Sequence, residues 1–208
     1  MNHPMPTLAN LRKAHEVFNG IEPRGFIYWS STKLVSAVIG TNLKSVRKDE
    51  LVQALMTLLM IWNRNYYRFR LHGKLERHFG ELEVVISKHF DRLMDFRKQR
   101  IQEVSEIPHL AVQAIFEDFK GVLGRVGAAK CLHLMAPGFF PLWDVAILRG
   151  YGMDRGEYRN RTDAERYVAF INIARVQIDN IGDFGSFADN PLKILDEYNY
   201  CHFTKHEI

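Results

Sequence analysis

Residues 121–150 read GVLGRVGAAKCLHLMAPGFFPLWDVAILRG and hold five glycines, one lysine, one histidine and one aspartate. Glycine takes backbone conformations that strain other residues, so Gly124 and Gly127 can reverse the chain within a few residues. Such a turn also presents amide N–H groups, which at a helix start can hold a phosphate with help from the positive end of the helix dipole. Asp144 follows Pro141 closely and heads an apolar-periodic run, where its carboxylate caps a helix and faces back toward the glycine turn. Lys130 and His133 stand three residues apart on one helical face, among Ala128, Ala129, Cys131, Leu132, Leu134 and Met135. The plainer reading of the same residues is a turn between packed helices, the wet side of a half-buried helix and a capping aspartate.

The elements that must position these residues are helical. No segment alternates with the period of two that strands show. TLANLRKAHEVFNG begins at a Thr7 cap, Ser30 and Ser31 are placed to cap TKLVSAVIGTNL, and Asn190 with Pro191 opens NPLKILDEYNYCHF. Leu51, Leu55, Leu58, Leu59 and Trp62 recur at steps of three and four, which predicts one long amphipathic helix over SVRKDELVQALMTLLMIWNRNYYRFRL. Leu82, Val85, Ile86, Phe90, Leu93 and Ile101 repeat the pattern, Pro108 separates that segment from HLAVQAIFEDFKGVL, and Thr162 or Asp163 caps a later helix. The expectation is an all-α chain forming a single unit over residues 1–208.

The hairpin and the aspartate segment together resemble the helix-hairpin-helix DNA glycosylase superfamily. Its pattern is a Leu-x-Gly-Val/Ile-Gly hairpin, a short helix and a Pro-x-x-Asp segment opening a further helix. Leu123, Val126 and Gly127 match the hairpin, and Pro141 with Asp144 match the aspartate segment. Arg125 stands at the first hairpin glycine, with Gly124 beside it, and Lys130 lies one residue beyond the position of the family's lysine. KLVSAVIGTNLKSV is similar to the early helix of that family, with Thr41 and Asn42 at its paired glutamine positions. The similarity extends over residues 26–180, with its specific part at 121–150.

The resemblance implies two helical lobes around a DNA-binding cleft and the activity of a base-excision DNA glycosylase that removes a damaged base, an oxidised purine being one candidate. In that chemistry Asp144 stabilises positive charge developing on the sugar. Water releases the base alone, whereas attack by the Lys130 amine forms a Schiff base and adds AP-lyase cleavage. Asn42, Gly124, Arg125, Gly127 and His133 are the residues implied to contact DNA. The implied partner is double-stranded DNA containing a damaged base, bound by a monomer without a cofactor. The alternative is a helix-hairpin-helix protein that binds nucleic acid or a partner without catalysis.

The chain of 208 residues carries a formal charge of +4, which permits a polyanionic partner without requiring one. Basic residues thicken at 64–78, interleaved with Tyr66, Tyr67 and Phe69, and at 92–100. Trp143 and these aromatics read as core before they read as base-stacking platforms. Two cysteines, Cys131 and Cys201, exclude a disulfide framework and a four-cysteine metal site within one chain, and an intracellular setting is expected. No apolar run reaches the roughly 18 residues of a membrane span. His202 and His206 beside Cys201 are the one arrangement with zinc-ligand spacing, and no metal site is expected there because no HExxH or paired CxxC accompanies them. Walker A, dinucleotide and Gly-x-Ser-x-Gly motifs are also missing from the sequence.

Overall fold

A computed structural model describes residues 3–23, 25–40, 42–70, 74–187 and 189–208. The chain is all-α, with nine helices and no strand among the described residues. They are α1 (Leu8–Ile21), α2 (Gly25–Ile39), α3 (Lys48–Trp62), α4 (Arg64–Arg70), α5 (Leu75–Arg97), α6 (His109–Met135), α7 (Val145–Gly150), α8 (Asp163–Ile181) and α9 (Pro191–Asn199). A π-helical turn, Tyr200–Lys205, continues α9.

The helix starts follow side-chain chemistry. Thr7 and Thr162 each cap their helix and close a capping box, with Asn10 and Glu165 reaching back to the cap. Asn190 accepts from the Leu192 N–H, and Pro191 occupies the first turn. Ser30 and Ser31 are not caps: α2 begins at Gly25, so both lie inside it, and the Ser31 hydroxyl is buried without a partner among the described residues. The apolar residues of GFIYW extend the helix over the two serines and outweigh their preference for an end.

The expected long helix over residues 45–71 is divided at Asn63, between α3 and α4. Asn63 adopts φ −119° and ψ 34°; its N–H still reaches Leu59 O, and its carbonyl restarts the next turn by accepting from Tyr66 and Tyr67. The reason lies in another part of the chain. A Cβ at Gly127 would stand 3.0 Å from Asn63 Nδ2 and 2.9 Å from Leu123 Cβ, so the end of α3 abuts α6 where α6 has no side chain.

One residue, Gly124, interrupts α6 with φ 68° and ψ 166°, a backbone region closed to other residues without strain. Tyr66 packs beside it and donates its hydroxyl to Val122 O, which pins the bend to α4. Around this kinked helix α5 and α8 pack, while α2 and α5 pack on α3 and α1 lies along α9. A continuous apolar core runs from Leu11 to Tyr198 and includes Phe116, Phe140, Trp143 and Tyr167.

Candidate active site

Lys130 sits on the second arm of α6, six residues past the kink, and its ammonium donates to Trp62 O at 2.7 Å. That carbonyl is available because α3 ends at Trp62, and a helix C-terminus is a favourable place for a cation. Asp144 is the N-cap of α7, accepting from Ile147 N at 2.9 Å. The sequence thus places the cation at the end of one helix and the anion at the start of another.

Both side chains line one cavity of about 210 Å³. Phe18, Trp62, Leu142 and Trp143 form its apolar wall, and Glu22, Asp196 and Tyr200 join Lys130 and Asp144 as its polar groups. Glu22 is buried and accepts from the Tyr200 hydroxyl at 3.0 Å. Asp196 is paired at 3.0 Å with Lys193, a buried ammonium that also meets Glu197 at 3.2 Å and lies over the Phe18 ring. Burial raises the Asp144 carboxyl above the ordinary aspartate range. The charge of Asp196 pushes the same way, while the N–H groups of Ile147 and Ala146 and the Lys130 cation partly offset it. With Asp196 paired to Lys193, the carboxyl groups of Glu22 and Asp144 stand against Lys130 in the cavity, an arrangement suited to a centre that is or becomes positive. The indole N–H groups of Trp62 and Trp143, two residues of the wall, are buried without partners among the described residues.

Glu22, Asp196 and Tyr200 were not legible as site residues. Each is an isolated polar residue in a helix end or an amphipathic run; the packing of α1 on α9 gathers them, and the packing of the π-helical turn on α7 brings them to Asp144. Trp143 is core, as its type suggests, and it also lines the cavity.

His133 does not lie on a wet face. It is fully buried, with Nδ1 donating to Phe140 O at 2.7 Å and Nε2 accepting from Tyr28 OH at 2.7 Å. A carbonyl can only accept, so the proton sits on Nδ1. Burial lowers its pKa to about 4, which keeps the ring neutral. The expected DNA contact by His133 is therefore corrected: α2 covers that face of α6, and His133 holds Tyr28, whose ring stacks on Trp62 at 5.9 Å.

Gly124, Arg125 and Gly127 line a second, shallower depression with Asn63 and Tyr66. Arg125 reaches Asp163 at 3.4 Å, and the same carboxylate meets Arg166 at 3.4 Å and Lys120 at 3.8 Å. Three cations around one carboxylate leave this edge positive even after Glu117 pairs with Lys120. Asn42 is exposed and caps a short 3-10 turn, Leu43–Ser45, and lines neither depression. Thr41 and the side chain of Phe69 lie outside the described residues.

Cys201 is buried with its thiol on Ala14 O, and His202 Nδ1 faces Ile208 O at 3.0 Å. No cluster of three or more His, Cys, Asp or Glu that could hold a metal occurs among the described residues. No helix among them is long and apolar enough to cross a membrane. Comparison with protein-family models, with curated proteins and with solved structures finds no match to this chain.

Proposed function

We propose that this protein is a DNA glycosylase of the helix-hairpin-helix type, in which Asp144 stabilises positive charge on the sugar of a damaged nucleotide and Lys130 is the candidate nucleophile for an accompanying lyase step. The observation that carries this reading is that Lys130 and Asp144, on separate helices, line a single aromatic-walled cavity. Its volume lies below the roughly 300–1,000 Å³ of clefts for drug-sized ligands, a size suited to one flipped base or sugar. Further support comes from the positive edge at Gly124 to Gly127, placed to take phosphates.

In this scheme the bond between base and deoxyribose C1′ breaks with its electron pair leaving on the base, and the Asp144 carboxylate faces the cation that develops. Water adding at C1′ completes base release. Addition of the neutral Lys130 amine instead gives, after proton loss and ring opening, a Schiff base at C1′. Lys130 must leave Trp62 O to do so.

A second reading has its own support: Asp144 caps α7 and Lys130 caps α3, so both residues hold structure whatever else they do. One experiment separates the two. Wild type, Asp144→Asn and Lys130→Gln are assayed for base release and borohydride trapping on a panel of damaged duplexes. The glycosylase reading expects about a 10²-fold or larger loss of base release in Asp144→Asn, because asparagine keeps the cap and discards the charge. It also expects no trapped adduct in Lys130→Gln. Salt-dependent duplex binding by the wild type with no base release from any substrate would leave the non-catalytic binder.

A further inference from the structure

The outer face of α2 carries large aromatic side chains in solvent. Phe26 is 68% exposed and Trp29 58%, three residues apart on one helical face, and Lys33 holds its ammonium 3.8 Å over the Trp29 ring. The exposure is not a register accident. Ser31, Val35 and Ile39 form a separate buried stripe at intervals of four that seats α2 on the protein. Two such rings in water forgo the burial that aromatic residues ordinarily obtain, a pattern that marks contact surfaces.

The charge of the surrounding chain selects the partner. From Pro23 to Lys48 there is no aspartate or glutamate, while Arg24, Lys33 and Lys44 are cationic; Arg47 is paired with Asp49 and Glu50 just beyond, and Lys48 lies over the Phe90 ring. Position ties the face to the cavity. A Cβ on Gly25 would lie 3.8 Å from Phe18, Tyr28 stacks on Trp62, and Phe18 and Trp62 are both cavity walls. The first turns of α2 thus pack against two of the residues that wall the cavity.

We propose that Phe26 and Trp29 form a stacking platform for unpaired bases of a DNA single strand, with Lys33 and its cationic neighbours contacting the phosphates. Every base has a π face, so such a platform binds without reading sequence, and its affinity falls with salt. The proposal rests on the nucleic-acid part of the reading above and not on its chemistry.

The test measures binding of a short labelled oligothymidylate by fluorescence anisotropy for wild type, Trp29→Phe and the double variant Phe26→Ala/Trp29→Ala. Both positions are exposed, so unchanged thermal unfolding verifies the fold. The double variant is expected to bind roughly 10- to 100-fold more weakly, the range for losing base stacking, while Trp29→Phe retains most of the affinity. Equal affinity of the double variant and the wild type would overturn the platform. So would absence of oligothymidylate binding by the wild type at low salt, or a change in oligomeric state without a change in DNA affinity, which would mark the face as a protein contact. Base release is scored separately: its absence alongside a platform-dependent affinity removes the glycosylase chemistry and leaves this proposal standing.

Discussion

Asp144 is held by two opposing influences. Two backbone N–H groups and Lys130 favour its charge, while burial and Asp196 disfavour it more strongly, so its carboxyl lies above the unfolded value. A carboxyl raised in the folded state is more stable protonated, so its ionisation weakens the fold as pH rises through the folded-state pKa. Asp144→Asn keeps the cap without that cost. The variant is expected to unfold at a higher temperature than wild type near neutral pH, with the gap closing as pH falls below the carboxylate range. Thermal melts across pH check this, and a variant less stable at every pH would count against it. Gain of stability with loss of base release at the same residue is the pattern expected where a charge is held for chemistry.

Among the elements, α7 has the most demanding task for its size: six residues carry Asp144 to the cavity. Its far end is fixed by Gly150, against which the Phe203 ring of the π-helical turn packs so closely that a Cβ would overlap it. Gly150→Ala is therefore expected to destabilise by about 1–3 kcal/mol through overpacking. Gly20, inside α1 with nothing within 4 Å of an added Cβ, is the contrasting case. Gly20→Ala should stabilise by about 0.5–1 kcal/mol, the usual gain of alanine over glycine inside a helix. Urea denaturation of the two variants tests the pair, and similar effects at both positions would contradict the packing assigned to α7. The kink at Gly124 has a related role, since it turns the second arm of α6 so that Lys130 meets the end of α3.

Across the molecule, cavity and core share walls, and buried polar groups join distant segments. The chain from His15 to Glu197, Lys193 and Asp196 couples α1 to α9 and ends at the cavity. His133 couples α6 to α2 through Tyr28. Because the His133 pKa falls from 6.5 to about 4 on folding, the unfolded chain takes up a proton that the native core refuses. Stability from this group is full above pH 6.5 and is lost as pH falls toward 4, on the order of 3 kcal/mol in all. His78, lowered by burial, acts in the same direction. In His133→Gln the lost hydrogen bonds cost stability at every pH, yet the deficit relative to wild type should narrow between pH 6.5 and 4. A deficit that stays constant over that interval would show that His133 is not the neutral buried group described.

Local order along the chain is specified by the residues themselves. The all-α character, the Thr7, Thr162 and Asn190 caps and the helix start at Asp144 all depend on interactions within a few residues, so they are legible without coordinates; of the turn expected at Gly124 and Gly127, Gly124 alone leaves the helical conformation, as a kink inside α6. Three features are not legible in this way. The break at Asn63 depends on the close approach of Gly127, the burial of His133 on α2 covering its face, and the presence of Glu22, Asp196 and Tyr200 beside Asp144 on α1 lying along α9 and on the π-helical turn packing against α7. Periodicity marks which face of a helix is apolar. It does not state which other helix will cover that face, because that choice belongs to packing among segments far apart in the chain.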